Sequence, residues 1–126
     1  MTTSTKRPKY LNLIKIRLPI TGMVSIAHRI TGALLFLALP FLVYFLHLSA
    51  ASEDGFHRAL AYMGHPVAKI ILLVLAWSVF HHFFAGIRYL LLDADIGVEK
   101  PMARSSAFVV LILGVASTLL LMWVLW

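Results

Sequence analysis

Residues 107–126 read AFVVLILGVASTLLLMWVLW, an apolar run without a single charge. As a helix rising ~1.5 Å per residue the run is about 30 Å long, enough to cross the hydrocarbon core of a bilayer. Unpaired backbone groups are too costly there for anything but helices or closed barrels, and strand alternation is absent from the chain. Towards the N-terminus, residues 67–92 form a second run, with Lys69 near one end and His81, His82 and Arg88 inside it. A third extends from Ile30 to about residue 48, and its helix is expected to begin near Gly22. The expected fold is an all-α membrane protein with three transmembrane helices over about 22–48, 67–92 and 105–126, preceded by a cytoplasmic N-terminal segment, residues 1–21. Pro40 lies inside the first span and is expected to bend the helix without ending it. Residues 49–65 and 93–104 read as polar connections, the first holding Glu53, Asp54, His57 and Arg58, the second Gly97, Glu99, Lys100 and Pro101.

Composition agrees with this reading. Of 126 residues, 61% are hydrophobic and 13% charged, with a mean hydropathy of +0.92, too apolar to coat an ordinary soluble domain. The formal charge is +6, and its distribution is uneven. Lys6, Arg7, Lys9, Lys15, Arg17 and Arg29 flank the N-terminal side of the first span, and Arg88, Lys100 and Arg104 flank the second connection. Only Arg58 and Lys69 flank the first connection. Positive charge stays on the cytoplasmic side, so the N-terminus is expected inside and the C-terminus outside, with Trp123 and Trp126 as interfacial anchors. The charge then reports orientation, not nucleic-acid binding. The first run is too long for the apolar core of a signal peptide, so the N-terminal segment is expected to remain. With no cysteine, the chain can supply no disulfide, iron–sulfur ligand or thiol nucleophile, and it has no dinucleotide-binding fingerprint.

Ionisable residues within spans are expensive, so function is sought there. One cluster is Ser25, His28 and Arg29, followed by Thr31 and Gly32. On a helix starting near Gly22, Ser25 shares a face with His28 and Arg29, about 8 Å inside the cytoplasmic end. Arg29 could snorkel to lipid phosphates, or serve an anionic or carbonyl partner such as a haem propionate or a quinone. The other cluster is Ser78, His81, His82, Gly86, Arg88, Tyr89 and Asp93. Neutral imidazole is the common nitrogen ligand of haem iron, and helical bundles hold haem between facing helices. At 100° per residue, His82 shares a face with Ser78, Gly86, Tyr89 and Asp93, whereas His81 falls with Trp77, Ala85 and Arg88. Gly86 removes a side chain one turn from His82, which favours His82 over His81 as ligand. Adjacent histidines cannot bracket one iron, and counting gives His82 a depth of about 15 Å against about 8 Å for His28. The second ligand is therefore expected from another chain, in a heteromeric haem-binding bundle.

The pattern Arg7-Pro8, then Ser25-Ile26-Ala27-His28-Arg29-Ile30-Thr31, then His82-x-x-x-Gly86-Ile87-Arg88 continuing to Asp93, resembles the cytochrome b membrane-anchor subunit of succinate dehydrogenase, respiratory complex II. The resemblance covers nearly the whole chain. It implies that His82 is the axial ligand of a haem b shared with a second small membrane-anchor subunit. It implies that Ser25 and Arg29 line a ubiquinone site and that His28, with Arg29, lies near the haem propionates. The implied partners are a flavoprotein and an iron–sulfur subunit on the cytoplasmic face, with Asp93, Asp95 and the segment Lys6 to Arg17 facing them. The implied setting is a bacterial inner membrane, and the implied reaction carries electrons from succinate through FAD and iron–sulfur clusters to ubiquinone. Lys9 and Tyr89 depart from the pattern, the latter where many relatives carry histidine.

Other readings of the same residues are a haem-free structural anchor whose histidines bond between helices, a small channel lined by His81, His82 and Arg88, and a fumarate reductase anchor working in the reverse direction.

Overall fold

The computed structural model describes residues 18–125, which form four helices: α1 (Ile20–Ala51), α2 (Glu53–Gly64), α3 (Pro66–Asp93) and α4 (Lys100–Leu125). Arg7-Pro8, the basic segment Lys6 to Arg17 and Trp126 lie outside the described residues. Helices α1, α3 and α4 are long and apolar enough to cross a membrane, and the chain is a multi-pass membrane protein. Their 32, 28 and 26 residues correspond to about 48, 42 and 39 Å, so each projects beyond the hydrocarbon. Pro40 removes one donor from α1 and leaves the Phe36 carbonyl without its usual partner, yet the helix continues to Ala51. Its neighbours Phe36, Leu37, Leu39 and Phe41 are all exposed.

Two connections are shorter than the sequence suggests. Residues 49–65 are not a polar loop. Ala51 ends α1, and Ser52, in extended conformation, accepts a hydrogen bond from the Gly55 amide at 3.0 Å, capping a new helix with Glu53 and Asp54 in its first turn. Phe56, Ala59, Leu60 and Met63 then recur on one face while Asp54 and Arg58 pair at 2.9 Å on the other. Gly55 permits the sharp reversal, because a Cβ there would run into the Leu48 carbonyl oxygen. His65 caps α3 by accepting from the Val67 amide, and Pro66 occupies the first turn, where its missing N–H costs nothing. The second connection is only residues 94–99, because α4 already begins at Lys100. Positive φ at Asp95 (59°) and Gly97 (77°) turns the chain there.

Helix α3 is the centre of the assembly, packed along α4 on one side and α1 on the other. Small residues allow the approach: Val24, Ala85, Ala107 and Val110 form the core, and a Cβ on Gly114 would stand 3.5 Å from His81 Cα. Without a hydrophobic driving force between spans, close packing and polar bonds hold the helices. Arg88 supplies such bonds. It is 6% exposed, and its guanidinium donates to Ser106 Oγ at 3.0 Å and to the Ala103 carbonyl at 3.1 Å, tying the end of α3 to the start of α4. Arg88→Met should therefore lower stability in detergent by about 1–3 kcal/mol, read as an earlier thermal transition. Ser52→Ala should cost about 1 kcal/mol locally, seen as faster amide exchange in α2 with α3 and α4 unchanged.

Candidate functional site

The most ordered polar contact between α1 and α3 centres on His82. Its Nδ1 lies 3.1 Å from the His28 carbonyl oxygen and 3.4 Å from Thr31 Oγ1. A carbonyl only accepts, so Nδ1 carries the proton and donates, and Nε2 keeps its lone pair. Among the described residues no hydrogen bond engages Nε2. The Thr31 hydroxyl can donate to the Ala27 carbonyl at 2.9 Å or the His28 carbonyl at 3.0 Å. The His82 ring also stacks on the His28 ring, with centroids 4.1 Å apart and planes 12° from parallel. Gly32 makes room for this arrangement: a Cβ there would stand 2.9 Å from His82 Cε1. Gly86, on the other side, has only His28 Nε2 nearby, at 3.8 Å from a built Cβ.

Tyr89 closes the cluster, its ring tilted 51° against His28 with centroids 5.2 Å apart, and its buried hydroxyl has no hydrogen-bond partner among the described residues. The Arg88 guanidinium lies 5.4 Å from the centre of the Tyr89 ring. Of the other sequence-selected residues, Ser25 is half-buried one turn before His28, and Arg29 is exposed. Asp93 and Asp95 are exposed at the end of α3.

His81 occupies a different setting. It is fully buried, stacks on Trp77 at 5.0 Å, packs against Gly114 of α4, and neither ring nitrogen has a hydrogen-bond partner among the described residues. An imidazole enclosed by Trp77 and a neighbouring helix has no open side for a planar macrocycle. Ser78, expected beside His82, is buried in the stripe of His81, Ala85 and Arg88 and donates to the Val74 carbonyl. A channel lined jointly by His81, His82 and Arg88 is thus at odds with the packing. His82 meets α1 at His28 and Thr31, whereas His81 packs against Gly114 and Arg88 bonds to Ser106 and Ala103 of α4.

His28 and His82 are not at different depths, since their rings are in face contact. Counting from the expected span ends ignored that α1 starts earlier and that both helices outrun the hydrocarbon. The two still cannot bracket one iron, because parallel rings 4.1 Å apart leave no space between them for a macrocycle. Sequence reading also missed the parts played by Thr31 and Gly32. Their position one turn after His28 was visible, but their contact with His82 depends on how α1 and α3 pack.

The resemblance seen in the motifs extends along the chain. Residues 3–121 match the family described as succinate dehydrogenase/fumarate reductase transmembrane subunit. The succinate dehydrogenase cytochrome b556 subunit of Coxiella burnetii is 34% identical, over 96% of this chain and 98% of the relative. The cytochrome b556 subunit of Paracoccus denitrificans is 32% identical, over 80% and 78%, and the cytochrome b560 subunit of Reclinomonas americana is 33% identical, over 90% and 83%. With three long apolar helices and a match spanning nearly its full length, this chain belongs to the succinate dehydrogenase/fumarate reductase transmembrane subunit family.

Proposed function

We propose that the chain is the cytochrome b membrane anchor of a succinate:quinone oxidoreductase, holding a b-type haem through His82 Nε2 and contributing Ser25 and Arg29 to a quinone site. The observation that carries the haem assignment is the bond from His82 Nδ1–H to the His28 carbonyl. A metal-ligating histidine characteristically donates its second nitrogen to an acceptor, which fixes the tautomer and raises the basicity of the ligating nitrogen. The residues present therefore fit the group: a free, oriented nitrogen on a half-buried ring, seated against a glycine on one helix and followed by another on its own. His81, enclosed on the α4 side, does not. When bound, haem supplies a one-electron redox centre within the membrane. A second ligand would be supplied by a partner anchor subunit, because the His28 ring is stacked face to face on His82 and cannot share its iron.

Ser25 and Arg29 stand four residues apart on α1, Ser25 one turn before His28 and Arg29 directly after it. The Arg29 guanidinium can donate to a quinone carbonyl and stabilise negative charge developing on that oxygen. The Ser25 hydroxyl supplies a neutral donor on the same face. His28, stacked on His82 and flanked by Arg29, lies where haem propionates would be met. Substrate-oxidising flavin and iron–sulfur clusters belong to partner subunits, since a chain without cysteine cannot ligate the clusters. The basic residues of the N-terminal segment, with Arg88 at the end of α3 and Lys100 and Arg104 at the start of α4, support a docking face on the cytoplasmic side of a bacterial inner membrane. Ubiquinone is the proposed acceptor, with succinate oxidation as the direction of turnover.

The haem-free alternative draws on the same geometry, because the His82–His28 contact already joins two helices without a cofactor. Reduced-minus-oxidised spectra of the purified complex separate them: a b-type α band is expected, and its absence selects the structural anchor. His82→Leu should abolish that band, whereas His81→Leu should retain it and lower stability instead. The reverse pair of results would move the ligand to His81. Arg29→Leu should slow quinone reduction by about 10²-fold or more in an assembled, haem-containing enzyme, measured as succinate-driven quinone turnover. Undiminished turnover would remove Arg29 from the site.

A further inference from the structure

We infer that Thr31 and Gly32 are positioning residues that, with the His28 carbonyl, hold His82 so that Nε2 is offered for ligation, a role that rests on the reading of His82 as the haem ligand. His82 is carried by α3, but every group that fixes its ring is on α1. The His28 carbonyl, 3.1 Å away, and Thr31 Oγ1, 3.4 Å away, both face Nδ1. The Thr31 side chain is fully buried, and its hydroxyl has the Ala27 carbonyl at 2.9 Å as an acceptor. With its proton directed to Ala27, the oxygen presents lone pairs to His82. Nδ1–H is then shared between two acceptors, and the tautomer with a free Nε2 is the one that α1 selects.

Gly32 sets the distance at which this happens. A methyl group at that position would stand 2.9 Å from His82 Cε1 and 3.3 Å from Nδ1. The imidazole is rigid, so the ring would have to turn or α3 would have to move. Either change would take Nδ1 away from its acceptors and swing Nε2 out of line. Thr31 and Gly32 thus act on the ligand through different physics, one by accepting a proton bond and the other by leaving space.

Acceptors on Nδ1–H make Nε2 a stronger donor, which favours oxidised iron. The test is a potentiometric titration of the haem in membranes containing the assembled complex, with haem content per assembled complex measured in parallel. Thr31→Val, which keeps the shape and removes the hydroxyl, should raise the midpoint potential, and Thr31→Ser should return it to the parental value. Gly32→Ala should lower haem affinity by about 10–100-fold in complexes that retain all subunits. If Thr31→Val leaves the potential unchanged, or Thr31→Ser shifts it equally, the hydroxyl has no such role. Parental haem content and potential in Gly32→Ala would overturn the seat. Should Gly32→Ala fail to assemble, the Thr31 pair decides. His82→Leu distinguishes the levels of failure: haem retained there sinks the ligand reading and this inference together, whereas haem lost there with a silent Thr31→Val sinks this inference alone.

Discussion

The hydrogen bond from His82 Nδ1 to the His28 carbonyl carries more of this structure's meaning than any other contact. In water an imidazole on a helix surface would exchange partners freely. Inside a bilayer it cannot, because lipid tails offer neither donors nor acceptors. The bond therefore does two things at once. It joins α1 to α3 by a polar contact, and it leaves the opposite ring nitrogen without a hydrogen-bond partner among the described residues. Gly32 makes that approach possible, and the His28 ring completes it by stacking on His82.

Helix α3 turns two different faces to its neighbours, and its adjacent histidines illustrate the consequence. A step of one residue rotates the side chain by 100°, enough to send His82 to α1 and His81 to α4. On the α4 side the polar residues serve packing: Arg88 reaches Ser106 and Ala103, Thr118 donates back to the Gly114 carbonyl, and His81 lies under Trp77. On the α1 side they stand near a half-buried seam with Ser25 and Arg29 close by. The α4 seam builds the scaffold, while the α1 seam is where the proposed haem and quinone sites lie.

Much of this was legible in the sequence because bilayer thickness imposes a length on apolar runs. Residues 107–126 needed no packing information to be read as a span. The separation of His81 from His82 likewise followed from helical periodicity. Helix α2 was missed because its twelve residues are too polar to suggest a span, although Ser52 before Glu53 and Asp54, with Phe56, Ala59, Leu60 and Met63 at helical spacing, carried the signal. Depth was misjudged because the count began at the expected span ends, whereas α1 and α3 extend past the hydrocarbon and bring His28 level with His82. The tautomer of His82 could not be read at all, since it depends on a carbonyl fifty-four positions away in the chain.

In the proposed arrangement α1 holds His82 so that Nε2 faces the haem iron. A structure of the assembled complex at a resolution that orients histidine rings tests it directly. The account predicts density joining Nε2 of His82 to the iron, with Nδ1 still within hydrogen-bond reach of the His28 carbonyl. Iron bound through His81, or a His82 ring turned so that Nδ1 meets the metal and the His28 carbonyl is released, would contradict it.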